Sequence, residues 1–191
     1  GLDESIHISQ VSRVVEGPNS QLVQLPEPQA HEADRQIARH VMALLEDGST
    51  IQLGIGALPN IVGEMIAQSD LKDLGVHTEM LADSYVDMYA AGRITGQRKA
   101  IDRGKMVYTF AMGSQKLYDF LDDNPAAAIF PVRYTNDPAV IARNPKVVAI
   151  NNAVEIDLFT QVSSESAGAR QISGTGGQLD FMLGAYGSEG G

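Results

Sequence analysis

The sequence predicts an open, layered α/β domain with a mostly parallel sheet. Two observations carry that prediction. Short apolar runs of strand length alternate with segments of helical period along most of the chain. Two glycine clusters, Gly54-Ile55-Gly56 and Gly174-Thr175-Gly176-Gly177, stand in front of helical segments; the first follows a strand directly.

The elements follow in order. Residues 1–25 place Ile6, Ile8, Val11, Val14, Val15, Leu22, Val23 and Leu25 around a Gly17-Pro18-Asn19 turn, which reads as one or two extended segments. Pro26 and Pro28 break that pattern. From Ala30 to Leu45, Ile37, Val41, Leu44 and Leu45 recur at helical spacing, so an amphipathic helix is expected, ending at Gly48. Thr50 to Leu53 is a strand, 54–56 a turn, and Leu58 to Ala67 a helix. Val76 to Met80 reads as a strand and Tyr85 to Ala90 as a short helix. Lys105 to Phe110 is a strand, and Ser114 caps a helix running to Leu121. Ala127 to Val132 and Val147 to Ile150 are strands, with a turn or helix start at Asn136-Asp137-Pro138 between them. Val154 to Val162 looks extended, and Gln178 to Tyr186 helical.

Composition narrows the function classes. The chain has 191 residues and a formal net charge of -10, with no cluster of Lys or Arg. That disfavours nucleic acid and anionic lipid as partners. No cysteine is present, which excludes disulfides, thiolate metal sites and a cysteine nucleophile. His7, His31 and His40 are scattered, so no metal site is expected. The longest apolar run, Ala126 to Val132, is 7 residues, far below a membrane span. A cytoplasmic location is expected. The sequence opens Gly1-Leu2-Asp3-Glu4 and closes on a glycine-rich stretch, and it is expected to be part of a longer protein.

Chemistry concentrates at three places. Backbone N–H groups of a glycine-rich turn before a helix can hold an oxyanion or a phosphate. Residues 54–60 carry the first two glycines of a dinucleotide fingerprint, but Pro59 stands at the third, which disfavours a Rossmann site. Glu79 sits in an apolar strand-like segment, and a partly desolvated carboxylate is a better nucleophile because water no longer stabilises its charge. His77, two residues earlier, points to the same side if the strand is regular. Glu155 and Asp157 alternate with Val154, Ile156 and Leu158, which reads as a half-buried strand with a polar face. Met80, Met88, Met106, Met112 and Met182 read as core filler.

Five segments, in order, resemble the acetyl-CoA hydrolase/transferase family, which includes class I CoA-transferases of the 4-hydroxybutyrate and acetate type. They are GIGALPN at 54–60, GVHTEMLAD at 75–83, GSQKLYDFLDDNP at 113–125, YTNDPAVIARNPKVVAINNAVEIDL at 134–158 and SGTGGQLDFMLGA at 173–185. The resemblance implies a CoA-transferase-like fold (NagB/RpiA/CoA-transferase type). Residues 1–191 would be part of the second, C-terminal domain, without the first domain and the end of the second. It implies Glu79 as a nucleophile that forms a γ-glutamyl-CoA thioester, moving CoA between short-chain carboxylic acids. The N–H groups of Ile55 and of Gly176 or Gly177 are candidates for an oxyanion hole. Gly54, Gly56, Gly174, Gln178 and Asn136 are candidates for contacts to CoA or substrate. Acyl-CoA and carboxylates would be substrates, with no permanently bound cofactor, and a homo-oligomer is expected. Acyl-CoA hydrolysis by the same glutamate, or a non-catalytic CoA-binding or assembly module, are the alternatives. One departure stands out: after VEIDL, where the family often has Gly-Gln, this chain has Phe159-Thr160-Gln161, and threonine there restricts a tight turn.

Overall fold

A computed structural model of the chain describes residues 6–26 and 29–191. The first helix, α1 (Glu32–Met42), is followed by β1 (Thr50–Leu53), α2 (Ala57–Gln68), β2 (Gly75–His77), β3 (Met80–Leu81) and α3 (Asp83–Ala90). Then come β4 (Met106–Tyr108), β5 (Phe110–Ala111), α4 (Gln115–Leu121), β6 (Ala127–Ile129), α5 (Val132–Thr135), α6 (Pro138–Ile141) and β7 (Val147–Ile150). Two small hairpins, β8 (Glu155–Ile156) with β9 (Val162–Ser163) and β10 (Ser166–Ala167) with β11 (Arg170–Gln171), precede α7 (Gln178–Tyr186).

Five strands form one sheet in the order β6-β4-β2-β1-β7, and every neighbouring pair is parallel. The predicted α/β class is therefore the observed one. All four residues of the interior strand β1 are buried, as expected for a strand covered on both faces. Side-chain alternation splits the core. Ile51, Leu53 and Val76 join the cluster built with Ile61, Ile66 and Tyr85 from α2 and α3. Val147 instead meets Ile141 and Phe181, from α6 and α7. From β1 the chain builds outward through β2, β4 and β6, then crosses back to place β7 on the other side of β1. Ligands in such sheets bind at the carboxyl ends of strands, near the point where the order reverses.

Several elements differ from the sequence reading, each for a local reason. Residues 6–25 join no sheet; Ile8–Gln10 is a short 3-10 turn, and the segment is anchored by Leu25 N–H to the Gly113 carbonyl at 3.1 Å. Residues 1–5 of that expected extended stretch, and Pro28, lie outside the described residues. The helix expected through Gly48 stops at Met42. Val132 begins α5 rather than ending a strand. Ser114 does sit at the cap position of α4, but its hydroxyl donates to Asp83 Oδ1 at 2.6 Å. Glu155, Ile156 and Leu158 are all exposed, so 154–158 is a solvent-facing hairpin arm and not a half-buried strand. Met182, expected in the core, is 49% exposed, whereas Met80, Met88 and Met106 are buried. No helix among the described residues is long and apolar enough to cross a membrane.

Candidate active site

The strand expected over Val76 to Met80 is interrupted. β2 ends at His77, and β3 resumes at Met80. Between them the Glu79 carbonyl accepts two consecutive N–H groups of the neighbouring strand, from Thr109 at 3.0 Å and Phe110 at 3.2 Å. The pairing register is kept across the gap, His77 with Val107 and Met80 with Phe110, so the strand bends at Glu79 without an inserted residue. Thr78 fixes the same corner: its N–H donates to the Val107 carbonyl at 2.9 Å and its hydroxyl to the Met80 carbonyl at 3.0 Å. The apolar neighbours that made Glu79 conspicuous in the sequence are β3, buried beneath it.

The carboxylate is held by two donors. Glu79 Oε1 accepts from Asn136 Nδ2 at 2.9 Å, and Oε2 accepts from the Gly177 N–H at 3.1 Å. Asn136 follows α5 directly, and Gly177 caps the start of α7. The carboxylate is half-buried, Asn136 and Gly177 are buried, and no salt bridge reaches Glu79 among the described residues. Both donors that hold it are neutral. Gly177 is glycine for a steric reason. A Cβ there would lie 2.4 Å from Asn136 Nδ2 and 2.8 Å from Glu79 Oε2. Its φ of -97° suits any residue, so the requirement is space alone.

The structure therefore brings together three of the residues picked from the sequence: Glu79, Asn136 and Gly177. It separates Gly177 from Gly176, whose φ is +55° and whose own Cβ position is open to solvent. Gly174 is exposed, and Gln178 is half-buried as the first residue of α7. The Gly54-Ile55-Gly56 turn closes the carboxyl end of β1, beside β2. It is tied to the end of β7, with Gly54 N–H donating to the Ile150 carbonyl at 2.8 Å and Asn152 Nδ2 to the Ile55 carbonyl at 2.8 Å. Gly56 has φ +116°, which explains that glycine. A cavity of about 570 Å³ opens between this turn and β3, lined in part by Ile55, Met80, Met112, Glu64 and Asp83. The described lining does not include Glu79, so cavity and cradle are distinct spaces.

Sequence reasoning missed the partnership inside the cradle. Asn136 and Gly177 lie 57 and 98 residues from Glu79, and no local pattern announces such contacts. From the sequence, His77 shares the side of Glu79 only if the strand is regular, and a satisfied structural histidine is the commoner reading. His77 donates from Nε2 to the Thr135 carbonyl at 2.8 Å and is fully buried. Burial lowers its pKa from 6.5 to about 4. No group of three or more potential metal ligands occurs among the described residues.

The site is thus a carboxylate cradled at the carboxyl end of a strand in a parallel α/β domain. Residues 113–191 match the acetyl-CoA hydrolase/transferase C-terminal domain. The chain is 52% identical over its whole length to the butyryl-CoA:acetate CoA-transferase of Anaerostipes caccae, covering 43% of that protein. It is also 52% identical over its whole length to the probable butyrate:acetyl-CoA coenzyme A-transferase of Syntrophomonas wolfei, again covering 43%. Among solved structures, RipA from Yersinia pestis superposes with a TM-score of 0.87 at 43% identity, over 97% of this chain and 40% of that one. The chain belongs to the acetyl-CoA hydrolase/transferase family. It spans less than half the length of the curated relatives it matches.

Proposed function

We propose that this chain supplies the nucleophilic half of a CoA-transferase that moves CoA between short-chain carboxylic acids, with Glu79 as the nucleophile. The observation that carries the proposal is the cradle: a carboxylate at a bend between two strands, held by two neutral donors.

One Glu79 oxygen attacks the thioester carbonyl of acyl-CoA. The C–S bond breaks, CoA leaves as thiolate, and an acyl-glutamyl anhydride remains. The thiolate then attacks the glutamyl Cδ. The bond between Cδ and the bridging oxygen breaks, releasing a carboxylate and leaving a γ-glutamyl-CoA thioester. A second carboxylate attacks that thioester and reverses the sequence. Each attack on Cδ places negative charge on the glutamyl oxygen that stays behind. A donor already aimed at that oxygen stabilises the charge without reorganising, and such a donor is worth about 10²–10³ in rate. Gly177 N–H and Asn136 Nδ2 are suited to that task. The N–H of Ile55, in the adjacent turn, is the candidate for the oxygen of the incoming acyl group. The covalent steps give ping-pong kinetics. Hydrolysis differs only in that water takes the place of the second acid. Acetate or butyrate accelerating turnover of the CoA ester identifies transfer.

The test is intact mass and peptide mapping of the full-length polypeptide carrying this chain, quenched rapidly after mixing with acetyl-CoA, beside Glu79→Gln. A CoA-sized adduct on the Glu79 peptide, absent from the variant, is expected. No adduct on that peptide while turnover proceeds removes Glu79 as nucleophile.

A further inference from the structure

We infer that His77 is a positioning residue that ties both donors of the cradle to the strand carrying Glu79. The inference rests on the reading of Glu79 as nucleophile and deepens it.

Three contacts converge on this imidazole. Its Nε2 donates to the Thr135 carbonyl at 2.8 Å, and the next residue in the chain is Asn136, which holds Oε1. Its ring lies 6.2 Å from the Phe181 ring, and Phe181 N–H donates to the Gly177 carbonyl at 3.1 Å in the first turn of α7. Gly177 holds Oε2. The third contact is covalent: His77 ends β2, two residues before Glu79. One buried ring therefore touches the supports of Asn136 and Gly177 and shares a backbone with the carboxylate between them.

Packing alone does not require an imidazole here. A phenyl ring fills a similar volume, whereas His77 leaves Nδ1 buried without a hydrogen-bond partner among the described residues. What the imidazole adds is the N–H at the Thr135 carbonyl. That hydrogen bond fixes the peptide leading into Asn136, so it sets where Nδ2 points. The low pKa of the buried ring keeps it uncharged at neutral pH, so Nε2 carries the one ring proton and the donor is permanent. Lys99 and Asp102 act on the ring in opposite directions.

The experiment compares His77→Phe and His77→Gln in the full-length polypeptide carrying this chain. Phenylalanine keeps the ring and removes the donor; glutamine can present an N–H to Thr135. A displacement of the order of 1 Å costs about 10²-fold in a positioned reaction. His77→Phe is expected to slow adduct formation on Glu79 by about that factor, with the acetyl-CoA KM within about threefold of wild type. His77→Gln is expected to restore most of the rate. Side-chain amide and Gly177 N–H hydrogen exchange should rise in the phenylalanine variant independently of catalysis. A folded His77→Phe protein with the wild-type rate and unchanged exchange at Asn136 and Gly177 overturns the inference. If His77→Phe does not fold, His77→Gln decides: a rate near wild type supports the tie, and a folded protein slowed about 10²-fold removes it. If wild type itself forms no adduct, the nucleophile assignment falls separately, and the exchange measurement alone tests the tie.

Discussion

Replacing Gly177 by alanine adds one carbon at the point where the cradle closes. The added Cβ would sit 2.4 Å from Asn136 Nδ2, 2.8 Å from Glu79 Oε2 and 2.9 Å from Glu79 Cδ. Ordinary contact begins near 3.4 Å, so the asparagine amide must retreat by about 1 Å and the carboxylate by about 0.6 Å. The backbone imposes no further penalty, because φ is -97°. The damage therefore falls on the chemistry. A 1 Å displacement costs about 10²-fold, and a lost oxyanion donor about 10²–10³-fold. The expected slowing of adduct formation is about 10²–10³-fold, equivalent to about 3–4 kcal/mol of transition-state stabilisation. Overpacking should lower stability by about 1–3 kcal/mol. Rapid-quench mass spectrometry of the full-length polypeptide with acetyl-CoA reads the rate, and thermal unfolding reads the stability. A folded Gly177→Ala protein that reacts within about threefold of wild type refutes the cradle as the seat of the reaction.

Two further outcomes follow from strain and burial. Thr160 sits at φ +66°, a conformation that glycine adopts freely and a β-branched residue adopts at a cost of about 1–2 kcal/mol. Thr160→Gly should therefore lower the protease sensitivity of the β8–β9 hairpin without changing the rate at Glu79; greater sensitivity would contradict it. His77 has a folded-state pKa near 4 against an unfolded value of 6.5, so the unfolded chain binds more protons between those values. Stability from the uncharged ring is complete above pH 6.5 and is lost as pH falls toward 4, by about 2 kcal/mol between pH 6.5 and 5. Hydrogen exchange at the Thr78 amide, compared at pH-corrected intrinsic rates in wild type and His77→Gln, should show this loss in wild type alone. An equal loss in both proteins assigns it to other groups.

The layered fold was legible because its strands are short apolar runs with helical segments between them. Ile51, Leu53, Val76 and Val147 are buried where their patterns place them. Glu79 was legible because a lone carboxylate among Thr78, Met80 and Leu81 is anomalous. The break in its strand was not, since Val76 to Met80 reads as unbroken and the bend is met by two N–H groups of the next strand on the Glu79 carbonyl. The same limit hid the role of His77: its partner, the Thr135 carbonyl, is 58 residues away and is a backbone atom that every residue carries. The hairpin at 155–163 misled in the opposite direction. Its alternation is real, but its apolar members face outward, with Ile156 64% and Phe159 82% exposed.

The 98 residues between Glu79 and Gly177 also set an order in time. A ribosome adding 5–20 residues per second takes about 5–20 s to travel that distance. For that interval the nascent chain carries Glu79 and, later, Asn136, but not the Gly177 N–H. The cradle closes when α7 has emerged and Gly177 has docked against Glu79. The second of the two donors at Glu79 is thus the last part of the cradle to be made.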